Sequence, residues 1–128
     1  MTARTTCDRF PLRIKIQIYC GEEIAMGPGK ADLLDAIRDH GSISAAGRAL
    51  GMSYRRAWLL VDAMNRCWAE ALVRTAPGAG GAHLSDLGIQ VLADYRTLQS
   101  GAASAAKGEP WPSLSAYLLA EPRSPRSA

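Results

Sequence analysis

The sequence predicts a mainly α-helical domain with a small β-sheet component: an N-terminal β-hairpin, a helix-turn-helix, a second hairpin and a long C-terminal helix. Three observations carry this prediction. Residues 42–68, SISAAGRALGMSYRRAWLLVDAMNRCW, read as two helices meeting at Gly51, the second opening with cationic residues before it turns apolar. Residues 12–19, LRIKIQIY, alternate strictly between apolar and polar, the period of a half-buried strand. Residues 76–81 form a Pro- and Gly-rich tip between two short apolar runs directly after the helix pair, where a β-wing follows a recognition helix.

Taken in order, residues 1–11 are polar, carry Arg4 and Arg9, and are expected to be a flexible arm. The compact domain is expected over 12–107. Its first strand places Leu12, Ile14, Ile16 and Ile18 on one face and Arg13, Lys15 and Gln17 on the other; Gly21 and Glu22 supply a turn, and residues 24–26 return as a short partner. A helix over 30–40 sets Leu33, Leu34 and Ile37 at helical spacing and stops at Gly41. Ser42 caps the next helix, 43–50, in which Gly47 lets a neighbouring backbone approach. Gly51 supplies the turn and Ser53 caps the second helix of the pair. Strands at 72–75 and 82–84 flank the wing tip. Ser85 then caps a long helix from 86 to about 106, with Leu87, Val91, Leu92, Tyr95 and Leu98 as its apolar face. Residues 108–128 form a Pro- and Ser-rich tail, partly disordered, in which LSAYLLA offers one short apolar turn or strand. The chain of 128 residues suits one domain with a tail, and is too short for two full cores.

Composition excludes more than it selects. A formal charge of +3 and a pI near 9.0 suit a nucleic-acid partner without requiring one. Cys7, Cys20 and Cys67 show no CxxC spacing, and His40 and His83 stand alone, so no metal site, cofactor or disulfide framework is expected. No nucleophile and base stand at a motif spacing, so the chain is not expected to be an enzyme. The N-terminus is no signal peptide and no run has transmembrane length; a cytoplasmic protein is expected.

Position is more informative than bulk charge. At about 100° per residue, Ala57, Leu60, Val61, Met64 and Trp68 fall on one side of the second helix, while Arg55, Arg56 and Leu59 lie opposite and Tyr54 and Trp58 on a flank. That outer side is either an ordinary solvated face or the part a major groove would meet. Two arginines in a first turn, beside the positive end of the helix dipole, are locally unfavourable, and phosphates would relieve the conflict. Leu92, Tyr95 and Leu98 are candidates for a homodimer seam, with intramolecular core as the equal alternative.

From about residue 12 to residue 98 the chain resembles the N-terminal winged helix-turn-helix domain of the ModE family of molybdate-responsive transcriptional regulators. GPGKADLLDAI, GSISAAGRALGMSYRRAWLLVDAMNRC and the wing segment TAPGAGGAHLSDLG carry the likeness, which LysR-type regulators share more distantly. The resemblance implies a homodimer that lays the second helix in the major groove of double-stranded DNA, with half-sites roughly 34 Å apart or a multiple of that. Ser53, Tyr54, Arg55 and Arg56 match the DNA-facing part of that helix, and Ser42 and Ser44 match caps or phosphate contacts. Leu59 extends the same face, and Arg48 is a candidate phosphate contact. Wings of this type commonly carry a lysine, absent from APGAGGAH, which leaves Arg74, His83 and backbone N–H groups for any wing contact. Family members hold molybdate in C-terminal modules with a SARN-type segment; this sequence shows none, and no molybdate effector is expected of it. Two other functions fit less of the sequence: a protein-interaction module using the last helix and residues 111–119, and an effector sensor holding an oxyanion or metal through its cysteines or histidines.

Overall fold

The structure, a computed structural model, describes residues 11–76 and 81–126. Its order is β1 (Ile18–Cys20), β2 (Glu23–Met26), α1 (Pro28–His40), α2 (Ile43–Ala49), α3 (Tyr54–Cys67), β3 (Val73–Thr75), β4 (Ala82–Leu84), α4 (Asp86–Ala106) and α5 (Trp111–Tyr117). The strands make two separate antiparallel hairpins, β1 with β2 and β3 with β4. The expected arm over 1–11 and the wing tip at 77–80 lie almost wholly outside the described residues.

The helix boundaries follow local chemistry. Pro28 occupies the first turn of α1, and the Gly41 N–H closes its other end on the Ile37 carbonyl at 2.8 Å. The Ser42 hydroxyl accepts from Ala45 N at 3.0 Å and the Ser53 hydroxyl from Arg56 N at 3.1 Å, so both helices of the pair begin on a side-chain cap, each worth about 0.5–2 kcal/mol. Between them Gly51 takes φ +73, a left-handed conformation that costs a side-chain-bearing residue more. Ala57, Val61 and Met64 are buried on the inner side of α3, with Leu60 and Trp68 packed at the margin.

The core sits between the inner faces of α1, α3 and α4 and is closed by β2 and the second hairpin. Met26, Leu33, Leu34, Ile37, Val61, Met64, Leu72 and Tyr95 are its largest fully buried side chains. The Tyr95 hydroxyl donates to the Ile16 carbonyl at 2.7 Å, anchoring the segment before β1; burial pushes its pKa above the ordinary value, with Arg96 opposing. Arg96 ties α4 to α1 through Asp32 at 2.8 Å and Asp35 at 2.6 Å. Its burial disfavours the charge, but these two carboxylates outweigh that and hold its pKa above the ordinary value.

Three expectations change. The strand expected over 12–19 is regular only at Ile18–Cys20, because β2 is four residues long and the chain turns into α1 at Pro28, leaving 12–17 without a partner strand. The alternation survives in part: Ile16 and Ile18 pack on the core, whereas Ile14 is 42% exposed. The turn or strand expected within the tail is the helix α5, with Pro112 in its first turn. The seam expected from Leu92, Tyr95 and Leu98 is divided. Leu92 and Tyr95 are 3% and 2% exposed and belong to the protomer's own core, the alternative reading, and only Leu98, at 49%, stays on the surface. One turn of helix separates residues that share a side but differ in depth, and depth is set by what α1 and the 12–17 segment cover.

Candidate nucleic-acid interface

The outer side of α3 begins where its cap ends. Tyr54, Arg55, Arg56 and Leu59 are all exposed, Tyr54 by 57% and Leu59 by 56%, on a helix whose opposite side is core. Tyr54 and Trp58, four residues apart, meet edge to face with ring centroids 6.3 Å apart, and the Trp58 indole N–H donates to the Tyr54 hydroxyl. That pair walls an open groove of about 280 Å³, whose other sides are Ser42, Ile43 and Ser44 at the start of α2 and Thr75, Ala76, Gly81 and Ala82 at the base of the wing. The structure thus brings Ser42, Ser44 and Tyr54 together with the wing. Trp58, expected beside Tyr54 on the flank of the outer side, and Thr75, absent from the expected site, complete the groove; nothing local marks Thr75.

Two devices fix the wing beside this groove. Asn65, on α3, accepts from Leu72 N at 2.9 Å and Val73 N at 3.0 Å through its Oδ1, and donates from Nδ2 to the Val73 carbonyl at 3.2 Å. The Ser85 hydroxyl donates to the Ala71 carbonyl at 2.6 Å while accepting from Gly88 N at 3.0 Å, so the cap of α4 also holds the strand entry. On the other strand, Ala82 N donates to the Gly41 carbonyl at 2.8 Å, hanging the wing on the turn between α1 and α2. A Cβ at Gly81 would lie 2.0 Å from that carbonyl oxygen. Gly81→Ala is therefore expected to push the wing off the turn and cost about 1–3 kcal/mol, read as a drop in the thermal midpoint.

In the β3–β4 register Arg74 stands opposite His83, both exposed, between the buried pair Val73–Leu84 and the pair of exposed Thr75 with buried Ala82. Arg74 has only a loose contact with Glu70, at 4.0 Å. Arg48 is exposed in the last turn of α2. Ser53 is exposed at the cap of α3, and Ser44 is half-buried in the groove wall.

The cations are segregated. Arg38 is paired with Asp35 and Asp39, Arg66 with Asp62 and Glu23, and Arg96 with Asp32 and Asp35. The bonds from Asp62 and then Glu23 raise the Arg66 pKa above its ordinary value. Among the described residues, Arg48, Arg55 and Arg56 form no ion pair, and the first turn of α3 carries no acidic residue. The modest net charge conceals an uncompensated cationic edge along the helix pair. Among the described residues no group of three His, Cys, Asp or Glu side chains could hold a metal ion, and no helix is long and apolar enough to cross a membrane.

Comparisons with known proteins agree with this architecture. No protein-family model matches the chain. It is 44% identical over 81 residues to the molybdenum-pterin-binding protein MopB of Rhodobacter capsulatus, covering 61% of this chain and 30% of that protein. It is 37% identical over 97 residues to the molybdenum transport protein ModE of Azotobacter vinelandii, covering 73% and 35%. It is 33% identical over 107 residues to the transcriptional regulator ModE of Yersinia pestis, covering 79% and 39%. The chain thus spans 30–39% of the length of these relatives. Among solved structures, the crystal structure of the CbnR_DBD-DNA complex matches with a TM-score of 0.51 at 19% identity, over 62% of this chain and 88% of that one. That likeness concerns the fold, a winged helix-turn-helix.

Proposed function

We propose that this chain, a winged helix-turn-helix domain similar in sequence to ModE regulators, is a transcriptional regulator which lays the start of α3 into the major groove of double-stranded DNA. The observation that carries the reading is the pair Arg55 and Arg56, solvent-facing and without internal carboxylate partners in the first turn of a helix. The positive end of the helix dipole makes that an unfavourable place for two cations in the free protein. Phosphates and guanine edges supply what the chain withholds, with Arg55 or Arg56 bidentate to O6 and N7. Leu59, exposed on the same face, is suited to apolar contact with bases. Ser42, Ser44 and Ser53 border the groove and the cap as phosphate contacts, and Arg74 with His83 forms the wing's grip. In a homodimer two such helices would meet half-sites roughly 34 Å apart. Of the expected seam, Leu98 is the residue left on the surface to contribute.

Selection of bound fragments from genomic DNA tests this reading. The expected result is a recovered palindrome whose half-site spacing reports the dimer; retention without enrichment and without salt dependence overturns it. Arg48, at the edge of the helix pair, is expected to touch phosphate alone. Arg48→Ala should weaken binding to all sequences equally and flatten the logarithmic salt slope by about 0.9, measured by titration at several salt concentrations.

One observation favours a second reading, a protein-interaction module. Leu114, Tyr117, Leu118 and Leu119, on and just after α5, are exposed by 60%, 82%, 55% and 50%. Absence of salt-dependent DNA binding, with a partner protein co-purifying through residues 111–119, would promote it over the first. The molybdenum named in the relatives belongs to proteins of which this chain spans well under half.

A further inference from the structure

Cys20 is the last residue of β1 and Cys67 the last residue of α3. The first hairpin docks on the C-terminal end of α3. Cys20 pairs with Glu23 across the hairpin, the Glu23 carboxylate lies 3.4 Å from Arg66, and the Trp68 indole donates to the Ala25 carbonyl at 3.1 Å. Cys67 thus sits between Arg66 and Trp68, two residues that bond to this hairpin, with the free thiol of Cys20 on the strand that pairs with Glu23. Cys20 is exposed to solvent and Cys67 is half-buried.

We propose that Cys20 and Cys67 form a redox-modifiable dithiol site, closed by a peroxide-class oxidant into an intramolecular disulfide between the first hairpin and the end of α3. The exposed Cys20 sulfur attacks a peroxide oxygen and the O–O bond breaks, leaving a sulfenic acid on Cys20 and releasing one water. The Cys67 sulfur then attacks the Cys20 sulfur, the S–O bond breaks, and the hydroxyl leaves with the Cys67 proton as a second water. Two thiols give up two electrons and two protons, and one hydrogen peroxide becomes two waters. Solvent access sets the order. Burial, reinforced by the neighbouring Cys20, also pushes the Cys67 thiol up, so Cys67 waits as a thiol while Cys20 meets the oxidant. Both residues end their elements, where the backbone is freer to adjust to the geometry a disulfide requires. The closed loop would enclose α1, α2 and the whole of α3, and so would stiffen the helix pair.

The test uses the full chain carrying Cys7→Ser, treated with hydrogen peroxide and analysed without reductant. The expected product is a chain lighter by about 2 Da, without intermolecular cross-links, with Cys20 and Cys67 in one linked peptide pair and a raised thermal midpoint. Mass gain by added oxygen, chain-to-chain cross-links, or two thiols still open to alkylation would overturn the proposal. The further variant Cys20→Ser is expected to leave Cys67 alkylatable after the same exposure. Oxidation of Cys67 at an undiminished rate there would overturn the assigned order and with it the site.

Discussion

Replacing Arg55 and Arg56 together by alanine is expected to weaken binding to the selected DNA site by about 10²-fold or more and to remove most of its preference over unrelated sequence. A bidentate arginine–guanine contact contributes about 1–3 kcal/mol of discrimination, and a second arginine on the same turn adds phosphate or base contact. Stability should move the other way. Both side chains are exposed and neither is paired within the described residues, so no internal contact is lost, and removing cations from the positive end of α3 relieves about 0.3–1 kcal/mol of unfavourable dipole interaction for each. Titration of the double variant against specific and random duplexes, beside its thermal unfolding, separates the cases. Unchanged affinity and preference would sink the placement of α3 in the groove. A lowered midpoint would make the two arginines structural.

Asn65→Ala is expected to be the most costly single change outside the apolar core. The side chain accepts from Leu72 N and Val73 N and donates to the Val73 carbonyl, and Leu72 and Val73 are buried, so water cannot replace it there. Leaving two buried N–H groups unsatisfied costs about 2–4 kcal/mol. That corresponds to a fall in the thermal midpoint on the order of 10 °C or more. Asn65→Asp keeps the oxygen that both amides need and loses only the bond to the Val73 carbonyl, so it should fall between the alanine variant and the parent. Equal losses for the two would mean that volume rather than hydrogen bonding is at stake. Because Asn65 is the bond between α3 and β3, the alanine variant should also loosen the wing, seen as faster amide exchange at Val73 and Leu84.

The helix pair was legible in the sequence at near-residue detail because its signals are local. Ser42 and Ser53 cap within three residues, Gly51 turns within one, and the inner face of α3 follows from a 3.6-residue period. The second hairpin and long α4 were legible for the same reason, with Ser85 capping α4 where expected. The outer face of α3 could be listed in advance, since a residue opposite a core stripe is exposed whatever the core contains.

What needed the tertiary structure is whatever depends on a neighbour distant in the chain. Periodicity puts Leu92, Tyr95 and Leu98 on one side of α4, but it could not say that Tyr95 would reach the Ile16 carbonyl and leave only Leu98 outside. Alternation marked 12–19 as a strand, yet a strand is made by its partner's backbone, and the early start of α1 removed the partner. The arginines of α3 could be named from sequence. That they are unpaired, while Arg38, Arg66 and Arg96 are neutralised, follows only from where the carboxylates come to lie. The same holds for Cys20 and Cys67: nothing in their spacing anticipates a hairpin docked on the end of α3. Residues 42–68 by themselves determined a helix pair with a cationic opening, through caps, turn and period. The folded chain decided that this opening would stand uncompensated beside a wing hung on Gly41, because charge pairing and close approach are properties of contacts rather than of sequence distance.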